Sequence, residues 1–131
     1  MERSVEIFAI IFLVVIGLSH LVQPVAWVDY FIRLRELGTT GAFADGFLHL
    51  GPAGLIIGFH NVWSGIPVLL TLLGWSFLIK CLIRFCIPKL GLKAMAHVSV
   101  ERAWEVQVAG AGLLVLAAVL GYGVYGGSAT R

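Results

Sequence analysis

Four apolar stretches, divided by short polar connections, occupy most of this 131-residue chain. They run over about 5–22, 43–63, 66–87 and 100–125, and a helix needs about 20 mostly apolar residues to cross a bilayer. Hydrophobic residues are 60% of the chain and charged residues 12%, against about 25% charged in a soluble domain. Too little polar side chain remains to cover such a core in water, so lipid must solvate part of it. The pattern predicts a single all-α integral membrane domain over 1–131. Its expected build is a four-transmembrane-helix bundle, with short amphipathic interfacial helices in the two cytoplasmic connections.

Local signals place the ends. Ser4 is a candidate N-cap for the first span and Pro24 stops it. The second begins near Phe43 or Phe47 and ends at Trp63. Ser64 and Pro67 open the third and Pro88 closes it, while Ser99 is a candidate cap for the fourth, which runs from about Val100 to Tyr125. The residues from His60 to Gly65 form a tight turn, so the middle spans make an antiparallel hairpin. The first stretch is longer than a signal-peptide core and no small-x-small cleavage site follows it, so it reads as a retained span.

The nine basic residues set the orientation. Arg33 and Arg35 fall in the first connection, and Lys80, Arg84, Lys89, Lys93 and Arg102 at or near the third. The second has none, and Arg3 and Arg131 lie near the ends. Cytoplasmic loops carry the excess of Lys and Arg, which puts the long connections in the cytoplasm and both termini outside. Trp27, Trp63 and Trp104 fall at the expected interfaces. In the first connection Trp27, Tyr30, Phe31, Leu34 and Leu37 recur at helical spacing opposite Asp29, Arg33 and Glu36, the pattern of a helix lying in the membrane surface. In the third, Lys93, His97, Glu101 and Glu105 form a polar stripe. Each half reads as span, proline, amphipathic connection and span, a faint internal likeness.

Helix association in lipid relies on small residues and polar contacts. Gly54 and Gly58 form a G-x-x-x-G, as do Gly123 and Gly127, and Gly110, Ala117 and Gly121 align on the fourth span. These faces serve either the bundle or a homo-oligomer. Lys80 with Arg84, and Glu101 with Glu105, stand one turn apart at the cytoplasmic ends of the third and fourth spans, where antiparallel neighbours would form a salt ladder. Lys80 either snorkels to the headgroups or marks an ion or substrate path.

Chemistry-bearing residues are few. Pro52 lies inside the second span and has no N–H for the carbonyl of Leu48, so it makes either a kink or a binding-site break of the transporter kind. His20 and His49 are expected at similar depth, where two imidazoles could ligate haem or, with Asp45 or Glu105, a metal. No histidine or cysteine metal motif supports this, so no cofactor is expected. Cys81 and Cys86 point in different directions on one helix and read as buried thiols. No serine sits in a nucleophile elbow, no paired intramembrane carboxylates or phosphate loop appear, and the net charge of +2 comes without a basic stripe. Catalysis and nucleic-acid binding are not expected.

The run Phe59-His60-Asn61-Val62-Trp63, then Thr71, Gly74-Trp75, Lys80 and Pro88, resembles small uncharacterised bacterial integral-membrane proteins in which an F-H-N-x-W turn is followed by T-x-x-G-W and a later Lys. The resemblance covers about 30 residues. It implies a four-span protein of the bacterial inner membrane and supplies no substrate. Here Ser64-Gly65 follows the turn, where that group carries more aromatic and acidic residues. His60, Asn61, Trp63, Thr71 and Trp75 are the candidate outer-turn motif. Without function, His60 and Asn61 would cap the second span, Trp63 would anchor the interface and Thr71 would bond back to its own helix. The leading expectation is a non-enzymatic scaffold, accessory subunit or oligomer-forming component in the lipid bilayer. The alternatives are a small oligomeric transporter or channel using His49, Pro52 and Lys80, with Glu105 as counter-charge, and a redox subunit holding haem or quinone through His20 and His49.

Overall fold

The computed structural model describes residues 1–126, and the described residues contain helices and no strand. The order is α1 (Glu2–Val22), α2 (Pro24–Glu36), α3 (Thr39–Phe59), α4 (Val68–Cys86), α5 (Pro88–Met95) and α6 (Ala103–Gly121). A 3-10 turn, Val100–Arg102, leads into α6, and a π turn, Tyr122–Gly126, ends it. Four helical segments are long and apolar enough to cross a membrane: Glu2–Val22, Thr39–Phe59, Val68–Cys86 and Val100–Gly126. That is the make-up of a multi-pass membrane protein.

Proline and glycine punctuate these helices for plain steric reasons. Pro24 and Pro88 each stand at the first position of a short helix, where a missing N–H costs nothing. Gly38 and Gly65 hold positive φ, 61° and 64°, which a side chain would oppose. Gly38 lets the second long helix start at Thr39, four residues ahead of the earlier of its two expected starts (Phe43), and the turn absorbs everything from His60 to Pro67. Pro52 does not interrupt α3, which runs through it.

The long helices pair as α1 with α6 and α3 with α4. Both pairs are antiparallel: Arg3 lies over the Tyr125 ring while Gln107 reaches the Leu21 carbonyl, and Ile56 meets Gly74 while Asp45 meets Arg84. Contact between α4 and α6 is slight. The core joins both pairs through Val5, Ala9, Leu13, Ile56, Leu70, Ala117 and Leu120.

Gly17 and Gly110 bring α1 and α6 together. A Cβ on Gly110 would stand 2.8 Å from the Gly17 carbonyl oxygen and 2.7 Å from the His20 Cβ. Ala117 is also buried, whereas Gly121 has open space beside it. Gly123 meets Ile66, and Gly127 lies outside the described residues. The Gly54 and Gly58 motif closes no contact among the described residues, since a Cβ on either would find no atom of theirs within 4 Å.

Two expectations about the connections change, and one about the thiols. Val28, absent from the apolar stripe read for α2, is its most buried residue, with Leu34 next. The stripe from Lys93 to Glu105 is not one helix face, because α5 ends at Met95 and Ser99 is extended. Arg35 of α2 crosses over to stop α5, its Nη1 lying 3.0, 3.1 and 3.3 Å from the carbonyls of Met95, Ala96 and Val98. Of the two thiols, Cys81 is buried and faces the Gly46 carbonyl at 3.3 Å, but Cys86 is exposed.

Candidate functional site

Polar side chains gather at the two ends of the α3–α4 hairpin. At the end bearing the long connections, Arg84 donates from Nε to Asp45 Oδ2 at 2.6 Å and from Nη1 to the Gly91 carbonyl at 2.9 Å. Asp45 and Arg84 are both buried. Room for the guanidinium comes from Gly91, where a Cβ would stand 2.8 Å from Arg84 Nη1; Gly46 instead admits the Phe85 ring, 2.9 Å from where its Cβ would be, beside Arg84 Cβ at 3.2 Å. The pair thus ties α3, α4 and α5 into one unit.

One turn further along α3, the His49 ring lies against Phe77. Its Nδ1 donates to the Asp45 carbonyl at 2.7 Å. That leaves Nε2 to accept from Lys80 Nζ at 3.4 Å. His49 and Lys80 are therefore brought together, as the transport reading requires, but Glu105 is not with them. Glu105 pairs with Arg102 and lies 4.0 Å from His97. The salt ladder expected between the third and fourth spans is absent among the described residues, because α4 pairs with α3 and α6 with α1. Arg84 takes its carboxylate from Asp45 instead, and among the described residues Lys80 has no carboxylate within 4.0 Å.

His20 and His49 have separate surroundings. His20 donates from Nδ1 to the Ile16 carbonyl at 2.8 Å and stacks on Trp27, ring centroids 4.3 Å apart. Among the described residues no three His, Cys, Asp or Glu side chains stand close enough to hold a metal.

The hairpin-turn end holds the second cluster. His60 is fully buried, and its Nε2 donates to Glu6 Oε1 at 2.8 Å, while Nδ1 has no hydrogen-bond partner among the described residues. The imidazole thus reaches across to α1 instead of capping its own helix. Thr71 does the capping, and across the turn rather than along α4. Its hydroxyl accepts the Val62 N–H at 3.0 Å and lies 2.6 and 3.1 Å from the carbonyls of Val62 and His60. Trp75 Nε1 donates to Asn61 Oδ1 at 3.3 Å. Four members of the motif are assembled; Trp63 stands apart, 58% exposed.

Between the clusters the interior is apolar and closely packed. Asp45, His49, Pro52, Ile56 and His60 follow one stripe of α3 at helical spacing. Pro52 and Ile56 face Phe12, Leu13, Leu73 and Phe77 across a crevice of about 10 Å³, at most one water's worth of room. Sequence reasoning missed Glu6 and the roles of Asp45, Gly91 and Arg35. Glu6 carried a signal, since a carboxylate within a spanning stretch rarely goes unpartnered.

Comparison with protein-family models, with curated proteins and with solved structures finds no match.

Proposed function

We propose that this chain is a small non-enzymatic component of a membrane assembly, an oligomer-forming or accessory subunit. It sits in a bacterial inner membrane with both ends outside and the long connections in the cytoplasm, where α2 and α5 lie in the interface. The reading rests on the G-x-x-x-G of α3. Among the described residues a Cβ on Gly54 or Gly58 would meet no atom within 4 Å, while glycines such as Gly17, Gly110 and Gly74 serve close approaches inside the chain. Such a motif lets backbones approach closely in lipid, and a second copy supplies the missing face. Lys80, exposed and without a carboxylate partner among the described residues, adds a charge that a neighbour or a headgroup can meet. The test is mass in mild detergent by sizing with light scattering. Gly54→Leu with Gly58→Leu should reduce an oligomer to monomers at unchanged helix content. A monomeric wild type, or an oligomer indifferent to both changes, defeats the reading.

A second reading, a small transporter, draws on the α3 stripe. Titratable groups stand on either side of the Pro52–Ile56 constriction, with His49 and His60 about 16 Å apart by helical rise. In liposomes His49→Ala or Pro52→Ala should abolish flux in folded protein; normal flux in both removes this mechanism.

A further inference from the structure

The bend from α1 into α2, at Gln23 and Pro24, leaves an open groove against the middle of α3. It measures about 440 Å³ and is lined by Ser19, Gln23, Ala26, Trp27, Tyr30 and Leu48, a size within the range of about 300–1,000 Å³ found for small-molecule sites. One wall is fixed in advance. The Ile16 carbonyl orients His20, His20 stacks on Trp27, and Trp27 Nε1 donates to Ser19 Oγ at 2.9 Å. An indole held from two sides is a preorganised flat surface, which spares a ligand the entropy of ordering it.

The polar groups around the groove are unspent. The Ser19 hydroxyl accepts from Trp27 and keeps its own proton to donate. The Gln23 amide and the Tyr30 hydroxyl make no hydrogen bond among the described residues. The Leu48 carbonyl lacks its usual helical donor because that donor would be Pro52. Burial first, and the Asp45 carboxylate second, hold the Tyr30 hydroxyl above its ordinary range, so it remains a proton donor. The groove therefore offers donors and an acceptor beside a flat aromatic wall, and no charged side chain lines it. The Leu48 side is apolar and open, at 55% exposure.

We propose that this groove binds an uncharged, membrane-dissolved amphiphile with an oxygen-substituted ring as head and an apolar tail left in lipid, the chemistry of a prenylated quinone or quinol. Ring oxygens accept from Gln23 and Tyr30 or donate to the Leu48 carbonyl, and the ring lies along Trp27. An anionic phospholipid head finds no cation here. The site is independent of the oligomer reading and does not use His20 or His49 as ligands.

The test places the full chain in nanodiscs of zwitterionic phospholipid and titrates a decyl-substituted benzoquinone, reading tryptophan quenching. Ala26→Phe fills the groove, and Gln23→Leu with Tyr30→Phe removes two donors at nearly constant volume. The expected result is saturable quenching in wild type, abolished by the first variant and weakened about tenfold by the second, roughly the scale of lost hydrogen bonds. Should Ala26→Phe lose its circular dichroism signal, the double variant carries the test alone. Three outcomes overturn the proposal. Non-saturating quenching in every protein means partition into lipid, and equal saturable quenching in wild type and the folded variants means a site elsewhere. Displacement of the quinone by phosphatidylglycerol at equal mole fraction means a seat for charged lipid.

Discussion

Arg84 of α4 donates from Nε to Asp45 of α3 at 2.6 Å and from Nη1 to the Gly91 carbonyl of α5. A buried ion pair adds little net stability over an apolar pair of the same shape, yet losing one partner strands the other charge at a cost of about 3–5 kcal/mol. Asp45→Ala should therefore destabilise the protein by about that amount, read from denaturant titration in detergent. Asp45→Leu with Arg84→Met should recover most of it. Additive losses in the double variant would show that the pair is not the coupled unit.

The Glu6–His60 bond joins α1 to the hairpin turn. Glu6→Ala leaves the buried imidazole with neither nitrogen partnered, and should cost about 1–3 kcal/mol. Glu6→Gln should cost less, because the amide oxygen still accepts. The same titration checks both, and equal losses would deny the hydrogen bond its role.

Thr71 separates a capping role from a packing role. Thr71→Val keeps the shape and removes a hydroxyl that meets three backbone groups of the turn, so a loss of about 1–2 kcal/mol is expected. Thr71→Ser should stay near wild type. Hydrogen exchange should rise at the Val62 amide in the valine variant and not in the serine one.

Two glycines that the sequence marks for helix packing should respond differently. Gly110→Val drives a side chain into Gly17 and His20, with an expected loss of about 1–3 kcal/mol. Gly58→Val meets open space and should leave monomer stability unchanged. Thermal melts of the two variants, at a dilution where any oligomer has dissociated, decide the matter.

Arg35 caps α5 from a different helix, its cation placed at the negative end of the helix dipole. Arg35→Ala should raise protease sensitivity between Lys93 and Ser99 while leaving α3 and α4 protected in hydrogen exchange. Unchanged cleavage there would mean that the 3-10 turn holds the connection unaided.

The helices themselves were legible. Apolar length gave four long helices, and prolines at 24 and 88 gave the ends of the first and third. The turn motif was legible as a group: His60, Asn61, Thr71 and Trp75 do meet. Their bonding was not, because periodicity reports which face of a helix is apolar and not which atom a side chain reaches. Hence Thr71 was expected to bond its own helix, and His60 to cap a span where it instead crosses to Glu6.

What the chain determined alone is what depends on distance along it: helix length, breaks at proline and glycine, and pairs one turn apart. Partner choice lay beyond that. Whether Arg84 finds Asp45 or Glu105 depends on which helix stands beside α4, and a spanning helix satisfies its own backbone whatever its neighbour. Adjacency is set by where backbones can approach, at Gly17 with Gly110 and at Gly74 under Ile56, and by which buried charges neutralise one another. The tertiary structure made those choices, assigning the closing role to some glycines and leaving Gly54 and Gly58 bare.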